Sequence, residues 1–350
     1  MAPWSKAGLI GVDVGTRTLK GISLTKSKGK VWLENYFFHD LADGNELYPL
    51  DAPVFECLRA MIEVKGFKGY RAASCLFDRE VIIHDMILPQ MPKADLDLAI
   101  QNEMEEQFAL RTAEACFDHV VIGPAPEGHG TALVYKIYGS KSASVQKLDQ
   151  MLKDLTLKPV SIESSILAQI AALSFNGYLK AAEDNVLIDI GESRISVSLL
   201  SGVKMVVCNI LNTGFGNINQ VLFESQGLAY DKAENLKLTY NMEASETEAD
   251  ESHQQIDEIL SEIFYKIQRL VAAYRMRSRS KTIARLLVTG GGSQLKMVTQ
   301  ALQTYCEVAA EVVNPFRNIE IYRPGKVQDT KIVTVAPYMT TAVGLALRGT

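Results

Sequence analysis

Cysteine pairs are missing from this sequence. Its five cysteines are an odd and widely scattered set without Cys-x-x-Cys spacing: Cys57, Cys75, Cys116, Cys208 and Cys306. Such a set excludes a disulfide framework and does not suggest a zinc site. We therefore expect five reduced cysteines in the core.

Long apolar runs are missing as well, since no stretch reaches the ~18 to 20 apolar residues of a membrane span. The closest candidate, residues 332–347, contains Pro337 and several threonines, which favours a buried strand or helix. The N-terminal residues lack the charged start, apolar stretch and cleavage site of a signal peptide. The expected location is the cytoplasm, without direct membrane insertion.

An excess of positive charge is also absent. The chain has 36 Lys and Arg against 41 Asp and Glu, a net charge of -5. A nucleic-acid binder needs a basic stripe to displace counterions from phosphates, so we expect no nucleic-acid partner. The basic run 275–285 follows the acidic run 243–262, and we expect the two to balance each other across one helical region.

The chain has 350 residues, of which 47% are hydrophobic. This is enough to form the hydrophobic cores of two domains. Residues 8–38 read as an antiparallel meander of strands, followed by a helix over 52–64 and a strand over 72–78. From residue 79 a compact α+β unit is expected. Its first helix, 93–110, carries one apolar face, formed by Leu96, Ile100, Met104 and Phe108. That face indicates a core contact, with the wall of a peptide groove as the alternative.

The strand, turn and strand order of the N-terminal meander returns from residue 185, which indicates a degenerate internal duplication. A long helix then has apolar residues at spacings of three and four between Ile256 and Tyr274, a pattern that needs a partner surface. A strand, a glycine turn and a helix are predicted over 284–305.

Two acidic, glycine-centred turns mark the duplicated halves. We call them the first corner, within "GVDVGTRTLKGISL", and the second corner, within "LIDIGESRISVSLL"; Asp13 and Asp189 occupy equivalent places in them. Tight glycine turns can aim several backbone N–H groups at one anion. Thr16, Thr18, Lys20 and Ser193 add donors, and carboxylates suit Mg²⁺. One such turn is more often a plain hairpin, but two copies predict a clamp for a phosphorylated ligand.

A third glycine turn, Gly290–Ser293, is predicted to end a strand and open a helix. It is neither a P-loop nor a Gly-x-Gly-x-x-Gly fingerprint. The chain therefore has the first corner, the second corner and the third glycine turn in that order. This arrangement resembles that of the actin, sugar-kinase and chaperone ATPase superfamily.

Further stretches of the chain narrow this resemblance, and together with the two corners they are "ILPQMPKADLDLAIQNEMEEQF", "DKAENLKL", "LLVTGGGSQLKMVTQAL", "VVNPF" and "APYMTTAVGLAL". Through them nearly the whole chain resembles the PilM family, the cytoplasmic actin-like proteins of type IV pilus assembly, and more distantly FtsA. The resemblance implies an α/β, actin-like ATPase fold with duplicated ribonuclease-H-like halves and an FtsA-type inserted α+β subdomain.

The same resemblance implies a division of the chain. The first half of the N-terminal domain would cover 1–78, the inserted subdomain 79–159 and a connecting segment 160–184. The second domain would cover 185–322, with a helical subdomain at about 236–284, and 323–350 would return to the first domain.

The resemblance also implies bound ATP and Mg²⁺. Phosphates and metal would be surrounded by Asp13, Gly15, Thr16, Thr18, Lys20, Asp189, Gly191, Gly214 and Gly216, with the two aspartates as metal ligands. Glu234 and Lys237 would reach the ribose and adenine, and Gly290, Gly291, Gly292 and Ser293 would line the adenosine side. Glu163 would position the attacking water.

Three departures from the family pattern predict weak binding and slow or absent hydrolysis. Glu192 places a carboxylate beside Gly191, which should repel a triphosphate unless Arg194 or the metal compensates. Phe215 separates Gly214 from Gly216, and Cys208 replaces a usual arginine. Positioning of water needs more than phosphate contact.

By this resemblance the chain would be an adaptor that binds the short N-terminal tail of an inner-membrane PilN-like protein, next to other platform proteins and the motor ATPase. It would then be peripheral at the inner membrane through its partners. The alternatives are the cytoplasmic half of a GspL-like type II secretion protein, a filament-forming FtsA-like protein and, less favoured, a small-molecule kinase with Asp13 or Asp189 as base.

Overall fold

The computed structural model describes residues 8–41, 51–76, 80–109, 111, 114–126, 128–240, 251–278, 282–321 and 331–350. The strands within these ranges are β1 (Leu9–Val14), β2 (Thr18–Ser27), β3 (Lys30–Asp40), β4 (Arg71–Leu76), β5 (Ile82–Leu88), β6 (Ala115–Pro124), β7 (Leu133–Lys141), β8 (Lys158–Ser164), β9 (Asp184–Ile190), β10 (Ile195–Ser201), β11 (Lys204–Leu211), β12 (Arg285–Thr289), β13 (Ala310–Val312) and β14 (Ile319–Glu320). The helices are α1 (Ala52–Val64), α2 (Lys93–Phe108), α3 (Ser142–Asp154), α4 (Ser165–Phe175), α5 (Gly216–Gln226), α6 (Tyr230–Thr239), α7 (Glu251–Arg277), α8 (Val298–Cys306), α9 (Lys331–Val335) and α10 (Thr340–Ala346).

The first sheet has the order β14-β3-β2-β1-β4-β8. The N-terminal meander pairs antiparallel, whereas β4 runs parallel to β1 and β8 runs parallel to β4. Alternation along β1 sends Ile10, Val12 and Val14 into one core cluster with α1 and α3. The opposite face of β1 meets α10, because a Cβ on Gly11 would lie 2.3 Å from the carbonyl oxygen of Ala342.

The second sheet repeats this plan, as the duplication predicts. Its order is β11-β10-β9-β12-β13, again an antiparallel meander followed by two parallel strands. The long helix α7 packs on it, and its predicted apolar stripe is buried at Ile256, Leu260, Ile263, Phe264, Ile267, Val271 and Tyr274. The partner surface is therefore the second core itself.

The inserted unit is a three-stranded antiparallel sheet, β5-β7-β6, covered by α2. Leu96, Ile100 and Met104 are buried as predicted, while Phe108 is 38% exposed. β8 hydrogen-bonds to β4 in the first sheet, and it begins at Lys158, next to residue 159 where the inserted subdomain was predicted to end. The predicted subdomain also includes α3, but the apolar residues of α3 pack into the first core, so the inserted sheet ends with β7.

The two halves meet along α4 and α10. A Cβ on Gly344 of α10 would lie 1.7 Å from the carbonyl oxygen of Ala168 in α4, so only glycine permits this crossing. All seven residues of α10 are buried, as expected for the apolar run 332–347. Across the described ranges, single helices fall short of the length and apolarity that a membrane crossing takes, although the bent pair Lys331–Tyr338 and Thr340–Gly349 meets both criteria together.

Several expectations need correction. All five cysteines lie in the described ranges without a disulfide, but Cys116 is exposed rather than a core residue. Arg275 donates to the carbonyl oxygens of Cys306 and Glu307, and Arg285 pairs with Glu183 and Glu311, so these two arginines do not balance the acidic run. Residues 243–250 and 279–281 of the two runs lie outside the described residues.

Candidate functional site

The first corner is a self-contained hairpin turn. The backbone N–H of Gly15 donates to the carbonyl oxygen of Thr18 at 2.9 Å, which closes the turn between β1 and β2. Asp13 and Lys20 are cross-strand partners, and their side chains form an ion pair of 2.9 Å. Thr18 is buried and Thr16 is exposed. The predicted residues of this corner therefore lie together, with the Asp13 charge balanced by Lys20.

The second corner has the same backbone closure but different charges. The N–H of Gly191 donates to the carbonyl oxygen of Arg194 at 2.8 Å. The cross-strand partner of Asp189 is Ser196, in the place that Lys20 takes in the first corner. Asp189 instead receives a 2.6 Å hydrogen bond from Nε2 of Gln169 on α4, and the same nitrogen lies 3.1 Å from Oγ1 of Thr341 on α10.

The third glycine turn packs directly on the second corner. Gly290 has a φ of +86°, and a Cβ there would lie 2.3 Å from Oδ1 of Asp189. A Cβ on Gly291 would meet the ring of Tyr338, and one on Gly292 would meet Ile190. The hydroxyl of Ser293 donates to the carbonyl oxygen of Gly290 at 2.7 Å.

The prediction that this turn opens a helix is wrong. A 3-10 turn occupies Gly291–Gln294, and α8 begins only at Val298. A ligand beside the glycine turn would therefore meet bare backbone rather than the first turn of a long helix.

Glu192 lies at the centre of a polar cluster that the sequence did not predict. Its carboxylate accepts a hydrogen bond from the Tyr230 hydroxyl, and it lies 3.4 Å from Nδ2 of Asn219 and 3.7 Å from Nζ of Lys237. The Asn219 and Lys237 donors are both closer to Glu234, since Lys237 pairs with it at 2.6 Å and Nδ2 of Asn219 donates to it at 2.7 Å. Of the described cations, Lys237 is the one that forms an ion pair with Glu192, and a pair with Arg194, one of the two compensating groups considered above, is not among the contacts of the described residues.

Gly214 and Gly216 are required by the same cluster. A Cβ on Gly214 would lie 2.2 Å from the carbonyl oxygen of Glu192, and a Cβ on Gly216 would lie 2.7 Å from its Oε1. Because the first of these neighbours is backbone, it cannot rotate away. The two glycines let the chain pass close to the second corner.

Arg17 joins the first corner to this cluster. Its guanidinium carbon lies 3.9 Å from the ring centre of Tyr230, and its Nε pairs with Asp40 at 2.6 Å. The charges of this cluster also act on Tyr338. Burial and the charges of Glu234, Asp40 and Glu192 raise its pKa to about 12, and the charge of Arg17 opposes this increase. Burial and Glu192 also raise the pKa of Tyr230, so its hydroxyl stays protonated and donates at neutral pH.

Comparison with known proteins identifies the family. The family model described as type IV pilus assembly protein PilM matches residues 11–350. The chain belongs to this PilM family.

Solved structures place the PilM-family chain among actin-like proteins. The chain of a PilM–PilN type IV pilus biogenesis complex is 20% identical, with 99% of each chain covered and a TM-score of 0.81. The ethanolamine utilization protein EutJ from Carboxydothermus hydrogenoformans is 14% identical over 97% of this chain and 88% of its own, with a TM-score of 0.52. MreB5 of Spiroplasma citri bound to ADP is 12% identical over 97% and 95%, with a TM-score of 0.53. The predicted actin-like fold is confirmed.

Glu163 stands apart from these clusters. Both of its carboxylate oxygens contact Arg348, at distances of 3.0 Å to Nε and 2.6 Å to Nη2. The hydrogen bonds and charge of Glu163 raise the pKa of Arg348. Positioning of water by Glu163 stays a prediction, and it would require this ion pair to open.

The residues of the site fit a magnesium-bound nucleotide better than a bare metal ion. The described residues contain no group of three or more His, Cys, Asp or Glu side chains that could hold a metal. Asp13 and Asp189 offer the one or two carboxylates that Mg²⁺ uses when phosphates supply further ligands. Buried acceptors without a partner, Oε1 of Gln169 and Oδ1 of Asn219, lie on side chains that contact Asp189 and Glu192.

Sequence reasoning missed Gln169, Asn219, Tyr230 and Tyr338. Their roles depend on contacts in space, for example between Gln169 of α4 and Asp189. The signal available was position, because Asn219 follows Gly216 by three residues and Tyr230 begins the helix that contains Glu234 and Lys237.

Proposed function

We propose that this chain is a nucleotide-binding adaptor of a type IV pilus platform, which holds ATP and Mg²⁺ between its two halves and binds a membrane protein through a short tail. The observation that carries the nucleotide site is the pair of corners. They share one backbone closure, they sit on matching sheets, and Arg17 of the first contacts Tyr230 beside the second. The structurally similar MreB5 is bound to ADP, which supports the same ligand class.

Each proposed contact uses groups of this chain. Asp13 and Asp189 would hold the metal, whose charge neutralises the phosphates. The first corner, through Gly15, Thr16, Thr18 and Lys20, would meet the phosphates, with Gly191, Gly214 and Gly216 on the other side. Glu234 and Lys237 would reach the ribose and adenine, and Gly290, Gly291, Gly292 and Ser293 would line the adenosine.

The proposed surface for the tail is the inserted sheet. Its two edge strands are β5 and β6, and an extended peptide can add to such an edge through main-chain hydrogen bonds. The β5 edge exposes the apolar side chain of Ile87 (42%), which we take as the specificity contact, while Val120 (44%) and Val121 (42%) are exposed on β6 at the opposite edge. The presence of PilN in the complex of the similar PilM chain supports a PilN-like protein as the source of the tail.

An adaptor is favoured over an efficient ATPase because Arg348 holds the one candidate water-positioning carboxylate, Glu163. Nucleotide would then stabilise the closed arrangement of the halves as a ligand. The chain would be cytoplasmic, peripheral at the inner membrane through its tail-bearing partner, and close to other platform proteins and the motor ATPase. The PilM family match favours this role over the GspL-like alternative.

Calorimetric titration of the full chain with Mg·ATP tests the nucleotide site. Asp13→Asn should weaken binding at least about tenfold, because it removes a metal ligand without changing shape. Asp154→Asn on the exposed surface of α3 is the matched control and should bind as the wild type does. Absence of binding by the wild type, or equal binding by Asp13→Asn, would refute the site.

A second titration tests the tail surface, with a synthetic peptide of the N-terminal cytoplasmic segment of a PilN-like protein from the same organism. Ile87→Glu should abolish binding because a charge would replace an apolar contact at the sheet edge. Val64→Glu, at an exposed position on α1 (77%), is the control. Equal binding by both variants would exclude this edge as the docking surface.

A further inference from the structure

Glu192 accepts a hydrogen bond from the Tyr230 hydroxyl, and Gly216 passes close to its Oε1. Two further donors lie near its carboxylate, Asn219 at 3.4 Å and Lys237 at 3.7 Å, although both are closer to Glu234, at 2.7 Å and 2.6 Å. Only about a fifth of the Glu192 side chain is exposed (22%) and Lys237 is almost fully buried (3%). Donors of this kind, beside a turn that we propose to bind phosphates, are groups that an anionic ligand would otherwise use.

The charge balance of the cluster is unfavourable for a second anion. Among the described residues, Lys237 is the one cation within 4 Å of either Glu192 or Glu234. One cation thus serves two carboxylates in a partly buried site. Phosphates brought beside this pair would be repelled by the surplus negative charge.

Glu192 also helps to hold the halves together. Its partner Tyr230 lies between Glu192 of the second half and Arg17 of the first. The Tyr230 hydroxyl donates to Glu192, and its ring face contacts the Arg17 guanidinium. A cation over a partly desolvated aromatic ring is attracted to it. Tyr230 therefore joins the two halves through contacts between protein groups.

We propose that Glu192 is an internal competitor of the nucleotide, which occupies the Tyr230 hydroxyl, shares the donors of Asn219 and Lys237 with Glu234, and must move aside before an anionic ligand can bind. The proposal rests on the nucleotide-binding function inferred above. It makes Glu192 a residue that sets nucleotide affinity, because its carboxylate adds a negative charge where ligand anions would lie.

Calorimetry of the full chain with Mg·ATP tests this role. Glu192→Ala should bind at least about tenfold more tightly than the wild type, because the competing charge is removed. Glu192→Gln keeps an acceptor for Tyr230 without the charge and should fall between the two. Glu224→Ala, which removes an exposed glutamate of α5 in the same half, should bind as the wild type does.

Thermal melting of the same proteins gives an independent measure. Without nucleotide, Glu192→Ala should melt below the wild type because the contact with Tyr230 is lost. At saturating Mg·ATP the difference should close or reverse, because the variant gains more from the ligand.

The outcomes separate the two proposals. Binding by the wild type with equal or weaker binding by both Glu192 variants would overturn the role of Glu192 and leave the nucleotide site intact. Absence of binding by all four proteins would overturn the nucleotide-binding function, and this inference with it. Binding by the Glu192 variants alone would support both. Glu192→Gln provides the test if Glu192→Ala does not fold.

Discussion

The two corners share a backbone but not a charge arrangement. Seven residues after its aspartate, the first corner has Lys20 and the second has Ser196. The first aspartate is thus neutralised inside its own hairpin, whereas the second depends on Gln169 from α4. The two turns keep the same geometry because of their glycines. The group that pairs with the aspartate, in contrast, can come from the same hairpin or from another element of the fold.

This division has a structural consequence. The second corner contacts α4, the glycine turn at 290 and the cluster around Lys237, so it collects elements from the junction of the two halves. The first corner reaches that junction through Arg17. Perturbations of the second corner should therefore spread further than those of the first.

Removal of the cations should show the largest contrast. Lys237→Met would leave Glu192 and Glu234 without their shared partner, at a cost of about 4 kcal/mol, because an unpaired buried charge is strongly unfavourable. Lys20→Met would leave only Asp13 unpaired and should cost about 3 kcal/mol. Urea unfolding followed by circular dichroism measures both. A smaller effect at Lys237 than at Lys20 would contradict the central position of the Glu192 cluster.

Glycine substitutions sharpen the same comparison. Gly214→Ala should destabilise the protein by about 2 to 3 kcal/mol, since its Cβ would lie 2.2 Å from a backbone oxygen and overpacking forces the backbone to shift. Gly15→Ala meets its nearest neighbour, the carbonyl oxygen of Thr18, at 3.0 Å and should cost less. Melting temperatures in the absence of nucleotide provide the test, and equal losses would show that the two turns are equally constrained.

Gln169→Leu removes the donor that α4 supplies to Asp189 in the second corner. The change removes a hydrogen bond to a carboxylate, which is worth about 1.5 to 2 kcal/mol of stability. Thr341→Val is the control, because it removes only the weaker contact of the same amide, at 3.1 Å. Urea unfolding compares the two variants. If Gln169→Leu were as stable as Thr341→Val, Asp189 would not depend on Gln169.

Glu163→Gln should have the smallest effect on stability, below about 1 kcal/mol, because its partner Arg348 has a side chain that is 45% exposed. A loss of ATP turnover in steady-state assays, with stability nearly unchanged, would assign Glu163 to hydrolysis. Unchanged turnover would show that the ion pair with Arg348 is its whole role.

Sequence patterns predicted the elements with strong local signals. The meanders, the amphipathic α7 and the two glycine corners follow from alternation, apolar spacing and turn residues, and the second sheet repeats the strand order of the first. The predicted inserted unit includes α3, which packs into the first core instead, because a helix carries no local record of which core it joins. The actin-like fold and the inserted subdomain were predicted from the resemblance to the PilM family rather than from periodicity.

The sequence predicted candidate residues of the site, among them the corner glycines and aspartates, Lys20, Glu234 and Lys237, but not most of the contacts between them. Charge partners such as Gln169, and the role of Lys237 toward Glu192, arise from helices that approach in space. Even the glycines have reasons that sequence alone does not show, since Gly214 and Gly290 make room for Glu192 and Asp189.

The most direct test of the two-corner clamp is a crystal structure of the full chain grown with a non-hydrolysable ATP analogue and Mg²⁺. It should show the phosphates and the metal between Asp13 and Asp189, with the Glu192 carboxylate moved away from Tyr230. An analogue bound away from these aspartates, at a concentration where calorimetry shows saturation, would contradict the account.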